Sequence, residues 1–238
     1  MKKTFLYAFR RTVPILLGFF PLGLAYGVLM ESIGYNALWS GLVSLTVLAG
    51  SLQFLMVSFF TGAMPLVTVA LLALLLNSRH IFYGISFVER FRSFGKGSRL
   101  FLIYSLSDES YSLHCAQEKQ EGVDDKWAHL FTAGFVVFYW VVFSVMGGLV
   151  GQAITFDTTG IDFSLTALFV VILVDQMRGA KTLLPVYIAA VSGVVCILVF
   201  GADNFILPSL LVTVAALCLL RPRLEKHTKD ESEKEVEA

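Results

Sequence analysis

Charge is scarce in this chain. Between Glu31 and Arg79 there is no Asp, Glu, Lys or Arg, and charged residues make up only 15% of the 238 residues, whereas hydrophobic residues make up 56%. The uncharged stretch alone is long enough for two membrane crossings of about 20 residues each. This composition argues against a soluble enzyme and predicts that the lipid bilayer surrounds most of the chain.

Several other features that would indicate a function are missing. The net charge is zero and the basic residues lie at the ends of apolar segments, so the chain lacks the basic surface that nucleic-acid binding requires. The three cysteines form no C-x-x-C pair, which argues against a disulfide framework or a zinc site. The sequence has no G-x-S-x-G, H-E-x-x-H or paired-histidine metal spacing. We therefore expect no nucleic-acid partner, no metal or other cofactor, and no enzymatic activity.

What the chain does have is a series of long apolar runs. They lie at about 12–30, 37–61, 64–88, 128–151, 163–178, 182–201 and 204–220, with a weaker, polar-interrupted run at 100–117. Because lipid offers the backbone no hydrogen-bond partners, and the runs are too long and too uniformly apolar for barrel strands, they predict an all-α polytopic bundle of about six to eight membrane segments. We expect residues 1–220 to form one transmembrane transporter domain and residues 221–238 a charged, disordered cytoplasmic tail.

The distribution of basic residues predicts the orientation. Basic clusters lie at residues 2–11, 90–99, 178–181 and 221–229, and basic loops are typical of the cytoplasmic side. We therefore expect a multi-pass protein of the cytoplasmic membrane with both termini in the cytoplasm. The first two clusters can share that side only if one of the three apolar runs between them is not a plain crossing.

Two segments are expected to be interrupted or re-entrant. The run at 12–30 contains Pro14, Pro21 and several glycines, and an internal proline removes a backbone hydrogen bond from a helix. The segment at 100–117 contains the adjacent acids Asp108 and Glu109. We expect the run at 37–61 to cross the membrane. In many transporters, broken helices at corresponding places in two halves form a central binding site.

The motif PLGLAYG, at 21–27, joins the helix breaker Pro21 to glycines such as Gly23. It favours either a broken helix whose free N–H groups receive an anionic ligand, or a kinked helix whose glycines pack against a neighbour.

The motif AGSLQF lies in the middle of the run at 37–61. Gly50 and Ser51 can loosen the helix, and Ser51 can cap a restarted half-helix. Gln53 brings donors and acceptors to the depth of the bilayer, either for a substrate or for a contact between helices.

The motif NSRHIFYG, at 77–84, places Asn77, His80 and Gly84 on one helical face. Arg79 lies roughly 15 Å from the basic end of its run by the helical rise, so it either faces a polar cavity and has a partner, or reaches the headgroups. His80 is either a proton carrier or a structural residue.

The motif SLSDESYSL, at 105–113, holds the acid pair Asp108 and Glu109. An acid in a low-dielectric site suits proton coupling or the binding of an ammonium group. The alternative is an amphipathic segment in the membrane interface with both acids in water.

Taken together and in this order, PLGLAYG, AGSLQF, NSRHIFYG and SDES resemble the large subunit of the branched-chain amino acid exporters, the AzlC or azaleucine-resistance family. The resemblance covers residues 11–220 and is concentrated in the first half. The sequence departs from the family at Leu52, where members commonly have a small residue, and this affects the local packing more than the function.

The resemblance implies a secondary transporter that exports leucine, isoleucine, valine and related apolar amino acids, driven by the proton gradient or the membrane potential. It also implies a small AzlD-type membrane subunit as partner, for which the small residues from Gly147 to Gly151 offer a surface. A channel or passive pore, and an intramembrane enzyme, are the alternatives.

The candidate site combines the four motifs. We expect the substrate to be bound by Pro21, Gly23, Gly50, Ser51, Gln53, Asn77, Arg79 and Tyr83. We expect the coupled proton or the ammonium group of the substrate to be bound by Asp108, Glu109 and His80. Free N–H groups near Pro21 and Ser51 are expected to receive the substrate carboxylate.

Overall fold

The computed structural model describes residues 1–62, 64–117, 120–153, 170, 173–174, 177–178, 182–201, 205–206 and 208–220. Within these residues the secondary structure is helical: α1 (Lys2–Ser32), α2 (Ala37–Thr46), α3 (Gly50–Thr61), α4 (Leu66–Arg92), α5 (Lys96–Tyr104), α6 (Asp108–Cys115), α7 (Asp125–Ala153), α8 (Leu184–Phe200) and α9 (Pro208–Leu220). By length and composition, α1, α4 and α7 can each cross a membrane. The prediction of an all-α membrane protein is confirmed. Most of the predicted run at 163–178 and the whole tail at 221–238 lie outside the described residues.

The chain divides into two compact units. Unit 1 consists of Met1–Pro65 and Leu76–Ile161, and unit 2 consists of Leu66–Leu75 and Asp162–Ala238. All the predicted site residues belong to unit 1, so the candidate site is described within that unit alone.

The described part of unit 2 beyond α4 includes α8 and α9. Ser192 Oγ on α8 and Thr213 Oγ1 on α9 are hydrogen-bonded to each other. A cleft of about 530 Å³ beside this bond is lined by Ser192 and by apolar side chains such as Val191 and Val212. This lining offers almost no polar surface to a charged ligand.

Helices α1 and α7 pack side by side in parallel. Near their starts, the ring of Phe5 on α1 meets the rings of Phe131 and Phe135 edge-on, with centroids 5.4 and 5.1 Å apart. Near their ends the contact is made by glycines, and a Cβ atom added to Gly27 would overlap backbone atoms of Gly148. Because glycine has no Cβ, the two backbones can approach this closely.

The small-residue ridge of α7 is buried in this contact. A Cβ added to Gly147 would lie 2.8 Å from Leu24 Cα, and one added to Gly151 would lie 2.9 Å from Glu31 Cβ. The expectation that this ridge offers a surface to a partner subunit is wrong, because α1 of the same chain occupies it.

The predicted interruption at 12–30 is also wrong. Pro14 and Pro21 lie inside α1, which continues through both of them as one helix of 31 residues. The physical reason is tertiary packing: buried residues occur from the first turns of α1 to its end, as at Ala8 and Met30, which are both 0% exposed. Contact with α7 along this length offsets the backbone hydrogen bonds that the prolines remove.

The ends of the three long helices meet at one end of unit 1. Lys3 Nζ, at the start of α1, donates to Glu121 O just before α7 (2.6 Å), and Arg90 near the end of α4 lies 3.4 Å from the Asp125 carboxylate at the start of α7. Helix α4 therefore runs antiparallel to α1 and α7. We call this the basic end; it carries Lys2, Lys3, Arg90, Arg92 and Lys96.

The run at 37–61 does not cross as predicted but forms a pair of short helices, α2 and α3, separated by residues 47–49. Tyr35, just before α2, and Phe60, at the end of α3, have ring centroids 4.8 Å apart. The chain therefore enters this helix pair and leaves it at the end of unit 1 that lies opposite the basic end. Because the start of α3 contacts Trp140 in the middle of α7, the turn lies deep in unit 1. We call α2 and α3 the first re-entrant hairpin.

The predicted interruption at 100–117 is confirmed. Helix α5 ends at Tyr104 and α6 begins at Asp108, with a non-helical turn between them. Helix α6 returns to the basic end, where Arg90 Nη1 donates to His114 O (3.4 Å). Helices α5 and α6 therefore form a second re-entrant hairpin, which enters from the side opposite to the first.

A long helix followed by a re-entrant hairpin thus occurs twice, in opposite orientations. In both copies a glycine with positive φ connects the long helix to the hairpin, Gly34 at 88° and Gly95 at 84°, a conformation that strains other residues. Helices α1–α3 and α4–α6 therefore form an inverted repeat, the architecture in which many transporters build a central site from broken helices.

The repeat is also visible in the spacing of the motifs. A Tyr-Gly pair lies in each long helix, and 25 residues separate Tyr26 from Ser51 in the first copy and Tyr83 from Asp108 in the second. Ser51 and Asp108 each lie in the first turn of the returning helix of a hairpin. Ser51 and Asp108 thus follow a Tyr-Gly pair at the same spacing.

Candidate functional site

The turns of both hairpins meet at Arg79, in the middle of α4. Arg79 Nη2 donates to Ser51 Oγ in the first turn of α3 (2.9 Å) and forms an ion pair with Asp108 Oδ2 at the start of α6 (2.9 Å). Tyr83, one turn further along α4, donates from Oη to Asp108 Oδ1 (2.8 Å). The Arg79 and Asp108 side chains are 32% and 40% exposed, so a ligand can reach the pair. The structure thus brings together four predicted site residues from three helices.

The sequence at the turn of the second hairpin explains why Asp108 lies here. Ser107 caps α6: its Oγ accepts from Ser110 N (3.3 Å), and Ser110 Oγ accepts from Ser107 N (2.8 Å). The Asp108 carboxylate therefore lies at the positive end of the helix dipole. Glu109 accepts from Ser107 Oγ (2.8 Å) and pairs with no basic side chain of the described residues. Of the two acids, only Asp108 is neutralised by a cation, that of Arg79.

The turn of α4 around Arg79 carries polar atoms without partners. Asn77 Oδ1, Arg79 Nε and His80 Nδ1 are buried and have no hydrogen-bond partner among the described residues. A buried polar group without a partner costs about 1–3 kcal/mol, so such groups are unusual outside binding sites. The set contains an acceptor, a donor and a ring nitrogen that can be either. This turn can therefore bind a ligand that has both donors and acceptors.

Helix α3 begins without a side-chain cap. Its N-cap residue is Ala49, so the prediction that Ser51 caps the helix is wrong, and Ser51 binds Arg79 instead. Gln53 N donates to Ala49 O (2.9 Å), whereas the N–H groups of residues 50–52 have no intrahelical or side-chain partner in the part of the chain that the structure describes. Helix α3 begins at Gly50, close to the half-helix start predicted near Ser51–Gln53, and such a start attracts anions.

Gln53 connects α3 to α7 and is fully buried. Its Oε1 accepts from Trp140 Nε1 (2.6 Å), and its Nε2 has no partner among the described residues. Tyr26 on α1 is also fully buried, stacks on Trp140 at 6.3 Å between centroids, and has an unpartnered Oη. Neither aromatic residue is among the predicted site residues. Tyr26 lies within PLGLAYG, which is a usable signal, but Trp140 is one of many aromatic residues in an apolar run and gives no local signal.

Two predicted residues do not join this arrangement. Pro21 is exposed inside α1, and Gly23 packs against α7, where an added Cβ would lie 2.6 Å from Phe143 Cβ. No helix starts at either residue, so the predicted binding of an anion by free N–H groups there is wrong. The alternative interpretation, a helix whose glycines pack against a neighbour, describes this segment correctly.

A second polar cluster, which was not predicted from the sequence, lies at the basic end. The Nδ1 atoms of His114 on α6 and His129 on α7 are 2.9 Å apart, and both side chains are fully buried. Only one of these two nitrogens can carry the hydrogen of this bond. Asp125, beside His129, accepts from Gln117 Nε2 (2.9 Å) and pairs with Arg90. A histidine inside an otherwise apolar run was the signal that could have indicated this cluster.

Comparison with known proteins identifies the family. A family model described as AzlC protein matches residues 14–154. The branched-chain amino acid transport protein AzlC of Bacillus subtilis is 36% identical over 219 residues, which cover 92% of this chain and 86% of that protein. An uncharacterized membrane protein of Helicobacter pylori is 33% identical, covering 94% and 97%, and the inner membrane protein YgaZ of Escherichia coli is 23% identical, covering 81% and 87%. No solved structure matches the chain significantly. The chain belongs to the AzlC family.

Proposed function

We propose that this chain transports branched-chain and related apolar amino acids out of the cell, as the large subunit of a two-component exporter driven by the proton gradient or the membrane potential. The observation that carries the proposal is the meeting of two oppositely oriented hairpins at Arg79, with unpartnered donors and acceptors around it. The similarity to the Bacillus subtilis protein supports the substrate class.

An amino-acid zwitterion fits the polar groups of this region. Its carboxylate needs donors, which the N–H groups of residues 50–52 and Arg79 Nε supply. Its ammonium group needs acceptors, which Asn77 Oδ1 and the Glu109 carboxylate supply. Arg79 joins the two elements that carry these groups, since it binds Ser51 in the first turn of α3 and Asp108 beside Glu109.

The two acids are assigned different roles. Asp108 is neutralised by Arg79 and hydrogen-bonded to Tyr83, so it holds the two hairpins together. Glu109 has no cationic partner among the described residues and is the acid that binds the coupled proton or the ammonium group. His80, next to Arg79 in the sequence, is a further titratable residue, and its Nδ1 atom has no hydrogen-bond partner among the described residues.

The membrane orientation follows from the basic end. Basic loops are typical of the cytoplasmic side, and the start of α1 lies at the basic end together with the end of α4. The chain is therefore a multi-pass protein of the cytoplasmic membrane with its N-terminus, and by the same rule its basic C-terminal segment, in the cytoplasm. The small AzlD-type subunit is proposed from the family resemblance.

Counterflow of leucine in proteoliposomes tests the function. Vesicles loaded with unlabelled leucine should accumulate labelled leucine, because an exchanger couples the two fluxes, whereas a passive pore gives no accumulation. The measurement is made with and without the co-expressed small subunit. Absence of counterflow in both preparations would contradict the proposal.

Amide variants test the role of Glu109. Asn and Gln keep size and hydrogen bonding but remove titration. If Glu109 carries the proton, Glu109→Gln should retain counterflow and lose transport driven by a pH gradient; if it binds the ammonium group, both should fail. Glu89→Gln is the matched control, since Glu89 is 83% exposed and, among the described residues, pairs with Arg92 alone. Full activity of Glu109→Gln at every pH would refute the assignment.

A further inference from the structure

The orientation of the Gln53 amide is fixed by its neighbour. The indole of Trp140 can only donate a hydrogen bond, so the amide oxygen of Gln53 must face it, as the 2.6 Å contact shows. The amide nitrogen, with two hydrogens to donate, consequently faces away from Trp140. Because side chains in a helix lean toward the N-terminus, this amide extends toward the uncapped start of α3.

Unpartnered donors lie around the start of α3. Gln53 Nε2 and Tyr26 Oη lie on side chains that are 0% exposed, and neither atom has a partner among the described residues. The free N–H groups of residues 50–52 add further donors. Trp140 connects the three parts: it binds Gln53, stacks on Tyr26, and lies 3.5 Å from the Cβ position of Gly50. An acceptor-only anion matches this set.

The second half of the inverted repeat shows how such an anion is held. At the start of α6, the carboxylate of Asp108 accepts a hydrogen bond from Tyr83 (2.8 Å) and pairs with Arg79. Tyr26 precedes Ser51 by the same 25 positions by which Tyr83 precedes Asp108. The first copy thus has the tyrosine and the helix start, but no carboxylate of the described residues is hydrogen-bonded there.

We propose that Tyr26 and Gln53 donate hydrogen bonds to the carboxylate of the transported amino acid at the start of α3, and that Trp140 is a positioning residue that orients the Gln53 amide for this contact. The inference rests on the proposed function for the identity of the ligand. It assigns two residues, Tyr26 and Trp140, that the polar motifs did not indicate. It also predicts that the site selects for a carboxylate, so that an amine of the same shape binds poorly.

Ligand-induced thermal stabilisation of the purified chain tests the inference without requiring transport. The probes are leucine, isovalerate, which has the carboxylate but no amino group, and 3-methylbutylamine, which has the amine but no carboxylate. We expect leucine and isovalerate to stabilise the wild-type chain and the amine to have a smaller effect. Tyr26→Phe should lower the affinity for leucine and isovalerate by about tenfold to a hundredfold, which is the effect of losing a hydrogen bond to a charged group. The affinity for the amine should not change.

Two further variants separate positioning from folding. Trp140→Phe keeps an aromatic ring and removes the N–H, so the Gln53 amide can rotate and the preference for isovalerate over the amine should fall. Gln53→Glu replaces the donor by a carboxylate and should abolish the binding of isovalerate by repulsion. Tyr139→Phe is the control on α7, since the Tyr139 hydroxyl contacts Thr12 rather than this site, and it should keep the wild-type preference.

The outcomes distinguish this inference from the proposed function. If leucine counterflow is present but Tyr26→Phe and Trp140→Phe keep the wild-type preference for carboxylates, the inference is wrong and the proposed function stands. If the variants weaken the binding of all three probes equally, the inference is also wrong, because Tyr26 and Trp140 would then have a structural role. If counterflow is absent but isovalerate stabilises the wild-type chain in a Tyr26-dependent way, the carboxylate site stands and the proposed function falls. No stabilisation of the wild-type chain by either carboxylate overturns the inference.

Discussion

The close contact of α1 with α7 makes Gly27→Ala the most informative substitution for stability. A Cβ at Gly27 would overlap Ser144 O and Gly148 N and would lie 2.7 Å from Gly147 C. All three atoms belong to the backbone of α7, so they cannot rotate away as a side chain would. The two helices must instead move apart by roughly 1 Å to reach ordinary van der Waals distance, which weakens the neighbouring contacts as well.

The size of the effect follows from two opposing terms. Overpacking of this kind costs typically 1–3 kcal/mol, and a clash with backbone belongs at the upper limit, about 3 kcal/mol. Alanine is favoured over glycine in a helix by about 1 kcal/mol. We therefore expect Gly27→Ala to lower the free energy of unfolding by about 2 kcal/mol.

Gly18→Ala is the matched control, because it lies in the same helix and an added Cβ meets nothing within 4 Å. It should be neutral or stabilising by up to about 1 kcal/mol. The assay is reversible unfolding in mixed micelles, followed by tryptophan fluorescence, for both variants. Equal stability of Gly27→Ala and Gly18→Ala would refute the parallel α1–α7 contact and, with it, the proximity of Tyr26 to Trp140.

Three further predictions concern other parts of unit 1. His114→Phe and His129→Phe should each lower the free energy of unfolding by about 1–3 kcal/mol, because each leaves a buried ring nitrogen unpaired. The double variant should lose less stability than the sum of the two single losses, and strict additivity in this double-mutant cycle would contradict the pairing. Arg79→Lys should reduce leucine counterflow at least tenfold, because one ammonium group replaces the planar guanidinium that bridges the two hairpins. Counterflow at the wild-type rate in this variant would show that the bridge is dispensable. In a background without native cysteines, a membrane-impermeant thiol reagent added to intact cells should label Gln152→Cys but not Ser93→Cys. Labelling of Ser93→Cys instead of Gln152→Cys would show that the proposed orientation is inverted.

The sequence alone determined the class of the protein. Long uncharged runs require helices in a bilayer, because no other structure satisfies the backbone there except a closed barrel. The break at 100–117 was predictable for a local reason: Ser107, Asp108 and Ser110 favour the start of a helix over its middle. The motif residues around Arg79 were likewise selected correctly as neighbours, since an arginine at that depth requires an acidic partner.

Only the tertiary structure decided which of the other runs is broken. The internal prolines Pro14 and Pro21 predicted a break in the run at 12–30, but packing on α7 keeps α1 continuous. The run at 37–61 instead breaks at 47–49, where there is no proline. The inverted repeat follows from that break, and the equal motif spacing acquires a structural meaning only once the break is known. Tyr26 and Trp140 are distant in the chain and look like ordinary apolar residues until α1 and α7 are placed side by side. Their polar atoms acquire a role only because burial removes the water that would otherwise satisfy them.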